Sequence, residues 1–233
     1  KDGFAYDERF VPQVMGGALY FAAKHVDTGD SLRLWRATLA GVTPLDVDMY
    51  MANMMYAYDD ALYLSLSNRV VRLPAGSDTA ADFHRDVLRP VAQMQVVGDR
   101  LYLMNLTYAR GRTENWWRYD GATDTLEKIE GQWGRVTGLT QMGDSVYFSG
   151  YPIGDPTADG SELVRLPLTS TTPISISPVF TVTGTQDIGA IVTDGSLLYL
   201  LVNPRMIDSL PPTELWVSDG TAAGTRKVAE MAA

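Results

Sequence analysis

Gly98-Asp99-Arg100-Leu101-Tyr102-Leu103 decides the fold: a turn pair, one spacer and a short strand centred on tyrosine. Gly-Asp supplies the positive-φ conformations that a tight hairpin turn requires, and the apolar run 91–97 just before it provides the partner strand. The arrangement recurs along the chain. Gly16-Gly17, Asp59-Asp60, Gly143-Asp144 and Gly195-Ser196 each begin three residues before Leu19-Tyr20-Phe21, Leu62-Tyr63-Leu64, Val146-Tyr147-Phe148 and Leu198-Tyr199-Leu200. Successive tyrosines lie 43, 39, 45 and 52 residues apart, the spacing of one propeller blade.

A third element follows each hairpin: Leu34-Trp35-Arg36, Val70-Val71-Arg72, Trp116-Trp117-Arg118, Leu163-Val164-Arg165 and Leu215-Trp216-Val217. A fourth strand comes next, as at 125–129 and 226–229. In Leu101-Tyr102-Leu103 the leucines face one side of the sheet and the tyrosine the other. Both faces of such a sheet are apolar, and stacking blades buries both. A β-sandwich accounts for short, evenly spaced strands but not for turn, tyrosine and a Leu-Trp-Arg-like element recurring in one fixed order. The reading is an all-β fold, a β-propeller of about five four-stranded antiparallel blades in a single domain. The blades fall near 11–49, 50–89, 90–133, 134–185 and 186–233, with 1–10 as a closing or flanking segment.

Composition narrows the function classes. The 233 residues carry 19 Lys+Arg against 28 Asp+Glu, a net charge of −9. That balance opposes a polyphosphate backbone, which requires clustered cations, so no nucleic-acid partner is expected. No run approaches the roughly 20 apolar residues that span a bilayer, so no membrane insertion is expected either. Cysteine is absent, which excludes disulfides, thiolate metal sites and cysteine nucleophiles.

The last repeat reads Glu214-Leu215-Trp216-Val217-Ser218-Asp219-Gly220-Thr221-Ala222-Ala223-Gly224-Thr225. It resembles the ELWxxDGT repeat of large secreted bacterial proteins. Partial echoes stand at Arg33-Leu34-Trp35-Arg36, at Tyr119-Asp120-Gly121 and at Glu162-Leu163-Val164-Arg165. The resemblance implies a propeller at the cell surface or outside a bacterial cell, and it brings no defined activity. Asp-Gly-Thr itself reads as turn chemistry, with Asp accepting backbone hydrogen bonds and Gly taking the left-handed conformation.

Function belongs on the connections that vary. In a propeller the second-to-third loops share a face with the links between blades, and here those loops are long: 23–31, 106–114, 150–161 and 203–213. Tyr108, Arg110, Arg112 and Trp116 cluster in one of them, a set able to stack on and hydrogen-bond a sugar or a peptide. Of Trp116 and Trp117, strand alternation places one ring in a blade interface and the other outward. Asp155, Asp159 and Glu162 form a loose oxygen-ligand loop for calcium, the candidate cofactor, although Pro156 and Ala158 break the series of a calcium loop. His25 with Asp27 and Asp30 is a second metal candidate. Each link also carries an acid (Glu8, Asp48, Asp86, Glu130 and Asp187) that could converge on a central channel.

The expected function is a non-enzymatic extracellular binding or scaffolding module, with a glycan or protein partner on the long-loop face. Two alternatives stand beside it. One is a propeller glycoside hydrolase using axial carboxylates as acid and base or nucleophile; the other is a purely structural module of a cell-surface assembly. Met51, Met54 and Met55 read either as an apolar docking patch or as blade core.

Overall fold

Turn chemistry sets the strand pairing. Asp59 and Asp60 hold φ of 46° and 50°, the two left-handed conformations that a two-residue hairpin demands, and Tyr58 and Ala61 are thereby brought opposite each other. The computed structural model describes residues 4–6, 10–25, 32–49, 52–67, 69–84, 91–107, 112–131, 133–152, 161–176, 186–204 and 213–231. Every regular element among them is a strand, and none of the described residues forms a helix able to cross a membrane.

The first blade comprises β1 (Phe4–Tyr6), β2 (Gln13–Met15), β3 (Ala18–His25), β4 (Arg33–Thr38) and β5 (Gly41–Asp48). β2 pairs with the near half of β3 and β1 with its far half, Phe4 opposite His25, so the two together make one interrupted inner strand. The second blade is β6 (Ala52–Tyr58), β7 (Ala61–Leu66), β8 (Val70–Pro74) and β9 (Ala81–Asp82). The third is β10 (Val91–Val97), β11 (Arg100–Thr107), β12 (Arg112–Asp120) and β13 (Thr125–Ile129). The fourth is β14 (Trp133–Met142), β15 (Ser145–Pro152), β16 (Glu162–Pro167) and β17 (Ile174–Ser175). The fifth is β18 (Gln186–Thr193), β19 (Leu198–Pro204), β20 (Thr213–Ser218) and β21 (Arg226–Met231). These are the antiparallel four-stranded blades of a β-propeller. The fourth strand is only two residues long in two blades. After Pro74 and after Pro167 the chain spends several residues on a hydrogen-bonded turn, and only two residues are left to pair in β9 and β17.

The chain forms two compact units: Lys1–Leu106 with Arg118–Leu126, and Thr107–Trp117 with Glu127–Ala233. In the first, Tyr20, Ala22 and Leu34 of one blade are buried in a common cluster with Met55, Leu62, Leu64 and Val71 of the next. In the second, Tyr147 and Leu163 are buried with Ile188, Ile191, Leu198 and Leu200. Burying each such side chain contributes roughly 1.5–3 kcal/mol.

Register explains why tyrosine and arginine recur in one order. Tyr20 lies directly opposite Arg36, Tyr63 opposite Arg72 and Tyr147 opposite Arg165. From that position Tyr20 and Tyr147 reach the third-to-fourth turn of the following blade, a contact that Tyr58 makes with Gly121 in the second blade. The Gly76 amide donates to the Tyr20 hydroxyl at 3.5 Å, and the Tyr147 hydroxyl lies so close to Gly220 that a Cβ there would stand 2.3 Å from it. The repeated residues therefore join blade to blade.

These buried phenols also set the alkaline limit of the fold. Burial pushes Tyr102 up to about 12. Tyr119 is raised as well, by burial and by donating to Asp124 Oδ1 at 2.7 Å. A raised phenol stabilises the fold fully below its unfolded value of about 10, and that contribution is lost as pH rises through the folded value. Ultraviolet titration should therefore show these two phenols ionising late, together with unfolding. Tyr119→Phe should remove one late ionisation; early ionisation of both would refute the assignment.

Candidate binding site

The described cleft with the most suitable chemistry lies at the long-loop end of the first blade. Arg33 opens β4 directly after the second-to-third loop, and Asp48 closes β5 directly before the link to the next blade; the two are cross-strand partners. Between this pair and the next, Trp35 opposite Pro44, three residues of β5 oppose the single residue Leu34. Along this stretch Leu45 and Val47 lie in the core while Asp46 and Asp48 face solvent. Bulges commonly re-aim side chains next to functional sites. The result is a cleft of about 240 Å³ lined by Arg33, Leu45, Asp46, Val47 and Asp48. One guanidinium donates in a fixed fork and two carboxylates accept, a combination suited to the hydroxyls of a single sugar or to a polar peptide side chain. Alternation of Asp46 and Asp48 with Leu45 and Val47 was the available sequence signal; the bulge that opens the cleft leaves no such mark.

A second polar feature belongs to the opposite end of the blades. Tyr58, Tyr63, Phe83, His84 and Tyr119 form an aromatic cluster, with Phe83 4.8 Å from Tyr119 and His84 5.7 Å from it. Asp124 caps the cluster, accepting from Tyr119 and lying 3.7 Å from His84 Nε2. The Tyr119 hydrogen bond holds the Asp124 carboxyl below its ordinary range. The Tyr58 hydroxyl donates to the Asp99 carbonyl at 2.7 Å and accepts from the Gly121 amide at 2.9 Å. The cluster thus ties two neighbouring blades together.

Several of the other sequence candidates lie outside the described residues. Tyr108 and Arg110 lie outside the described residues. The Arg112 backbone pairs with Gly134. Trp116 is fully buried and meets Phe148 edge-on at 4.9 Å, and Trp117 is buried too. Alternation was expected to leave one of these two rings outward; it does not, because the strand carrying them is covered on both faces. Asp155 and Asp159 lie outside the described residues, while Glu162 accepts from Ser175 Oγ at 2.5 Å. Of the residues around His25, Asp27 and Asp30 are outside the description, and His25 is placed by its strand pairing alone. Among the link acids, Glu8 and Asp86 are outside it, and Asp187 pairs by backbone with Asn203. Glu130 accepts from Thr172 Oγ1 at 2.7 Å, and Asp48 lines the cleft. Met55 is core and Met54 half-buried; Met51 lies outside the description.

The fifth blade shows how completely its turn residues are engaged. Asp219 Oδ1 accepts from the Thr221 amide and hydroxyl at 2.9 and 2.7 Å, and Gly224 donates its amide to the Thr221 hydroxyl at 3.0 Å. Thr225 Oγ1 donates to the Thr221 carbonyl at 2.6 Å and shares a 2.7 Å bond with Ser218. Asp194 caps the preceding hairpin, accepting from Ser196, Leu197 and the Tyr199 hydroxyl. The two backbone donors, Ser196 and Leu197, hold its carboxyl far below the ordinary range. That depression stabilises the turn above the ordinary carboxylate range of about 4 and is lost as pH falls through the lower folded value. Asp194→Asn should therefore reduce the acid dependence of Leu197 amide exchange, and an unaltered profile would exclude this linkage.

No protein-family model matches the sequence, and no curated protein does. Solved structures do. An oligogalacturonate lyase in complex with manganese aligns over 94% of this chain and 63% of its own, at 14% identity and a TM-score of 0.58. The computationally designed protein Ika8 aligns over 94% and 60%, at 12% identity and 0.54. The extracellular domain of a protein described as a one-component system of B. thetaiotaomicron aligns over 99% and 28%, at 12% identity and 0.52. At these identities the likeness is one of fold, and the chain spans less than two thirds of each matched chain.

Proposed function

We propose that this chain is a non-enzymatic binding module of an extracellular or cell-surface bacterial protein, taking a glycan on its long-loop face. The observation that carries the reading is the cleft of Arg33, Asp46 and Asp48 at that face. Its volume, below the usual 300–1,000 Å³ of drug-sized pockets, suits one sugar residue rather than a long chain. The division of labour supports it: the repeated Tyr, Arg and Asp-Gly residues act within and between blades, which leaves recognition to the loops and strand ends. The extracellular domain of a one-component system among the structures of like fold gives a precedent for such a fold outside the cell.

A glycan array, run with calcium and with chelator, tests the reading. Selective binding that Arg33→Ala together with Asp46→Asn weakens by about tenfold or more, the loss of a charge-assisted contact, is expected. Binding that ignores both substitutions would move the site away from the cleft, and calcium dependence would favour the loop of Asp155, Asp159 and Glu162. The second reading, a carbohydrate-active enzyme, draws on the lyase of like fold. Turnover of chromogenic glycosides or unsaturated-product formation, abolished at one carboxylate, would establish it. A net charge of −9 gives no general attraction for a polyanionic substrate.

A further inference from the structure

Asp120-Gly121, Asp194-Gly195 and Asp219-Gly220 are the aspartyl-glycine pairs among the described residues. Such a pair is chemically fragile, because glycine has no side chain to hinder a close approach by its own nitrogen. That nitrogen attacks Cγ of the aspartate, a C–N bond closes a succinimide, and the carboxyl OH leaves with the amide proton as water. Solvent water then adds to either ring carbonyl. One product is aspartate again; the other is isoaspartate, whose main chain runs through the side chain and gains one carbon. Ring closure needs a protonated carboxyl and an amide free to give up its proton.

Both requirements are opposed at all three pairs. The Thr221 donors to Asp219, and the Ser196, Leu197 and Tyr199 donors to Asp194, keep these two carboxyls ionised. Asp120 accepts from the Ala122 amide and from Arg100, each at 3.0 Å. The attacking nitrogen is engaged as well. Gly220 donates to the Ser218 hydroxyl and Gly195 to the Thr193 hydroxyl, both at 3.0 Å, and Gly121 to the Tyr58 hydroxyl at 2.9 Å. A hydroxyl accepting this bond favours the intact N–H over the nitrogen anion that attacks. In Thr193-Asp194-Gly195-Ser196 and Ser218-Asp219-Gly220-Thr221 that hydroxyl directly precedes the pair. Before Asp120 stands Tyr119, whose hydroxyl is committed to Asp124, and the neighbouring blade supplies Tyr58 instead. We propose that the hydroxyls of Thr193, Ser218 and Tyr58 protect these three turns from isomerisation, Asp120-Gly121 through blade contact rather than through its own flanking residues. The protection preserves architecture, since an added main-chain carbon beside Gly220 disrupts the turn on which Tyr147 packs.

The test ages the 233-residue chain at neutral pH, below its unfolding temperature, and follows isoaspartate at each pair by peptide mapping. The folded turns should isomerise about tenfold or more slowly than the same pairs in denaturant. Tyr58→Phe keeps the ring and should accelerate Asp120 about fivefold, the rate equivalent of one hydrogen bond, with Asp194 and Asp219 unchanged. Thr193→Val should accelerate Asp194 alone by a similar factor, and it serves as the test if the first variant does not fold. An unchanged rate at the targeted pair of a folded variant overturns the proposal. Equal acceleration at all three pairs also overturns it, since general loosening of the fold would then be the cause. So does a folded chain that isomerises as fast as the denatured one.

Discussion

Replacing Gly220 by alanine should lower stability by about 3 kcal/mol, combining backbone strain at positive φ with overpacking. Gly220 sits at φ +89°, where a Cβ would meet the Tyr147 hydroxyl oxygen at 2.3 Å and its ring carbon Cζ at 3.0 Å. The ring cannot simply move aside, because Tyr147 is itself buried among Met142, Ile188 and Ile191. Tyr147→Phe removes the atom that clashes first. The double substitution should therefore recover roughly 1–2 kcal/mol relative to simple addition, a coupling of the size that contacting residues show. Denaturant unfolding of the four members of the cycle measures it. Strict additivity would mean that the glycine is needed for its backbone conformation alone.

Trp116→Ala should cost about 3–5 kcal/mol, the range for deleting a large buried aromatic. The ring is fully buried, and Phe148 lies between it and Trp133, edge-on to both at 4.9 and 5.6 Å. Truncation removes a central piece of the aromatic packing in the second unit. Trp116→Phe should recover about half of the loss by refilling part of the cavity. Chemical denaturation together with glycan binding separates two roles for this residue. A stability loss with affinity retained in the folded fraction assigns it to packing, while lost affinity at unchanged stability would place the ring in a binding site.

The blades were legible because turn, tyrosine and arginine each act at a fixed register. Tyr63 and Arg72 face each other across β7 and β8, as Tyr20 and Arg36 do in the first blade, and so the order recurs in the sequence. The short outer strands were less legible, since nothing local reports how many residues a turn such as Pro74–Ser77 will consume. Trp116 and Trp117 expose another limit. Alternation predicts opposite faces, but in a stacked sheet opposite faces are both interior, so period two does not distinguish buried from exposed. The cleft was half visible. Asp48 stood out as a link acid, but Arg33 joins it only through strand pairing, and the register shift beside them leaves no mark in the sequence. The Asp124–Tyr119–His84 contact gave no sequence signal, because His84 lies forty residues from Asp124 and meets it through packing.

The unequal outer strands carry a consequence for solubility. An outermost strand presents unpaired amides and carbonyls, a template on which a foreign strand can grow. In the second and fourth blades that template is two residues long, too short to nucleate pairing. Two of the longer outer strands are guarded by chemistry instead. β5 has Pro44 in its middle, which offers no amide, and β21 carries Arg226, Lys227 and Glu230 within six residues, with Lys227 bonded to Glu214 and Glu230. Fibril-like growth is thus disfavoured by brevity at two of these edges and by proline or charge at two others.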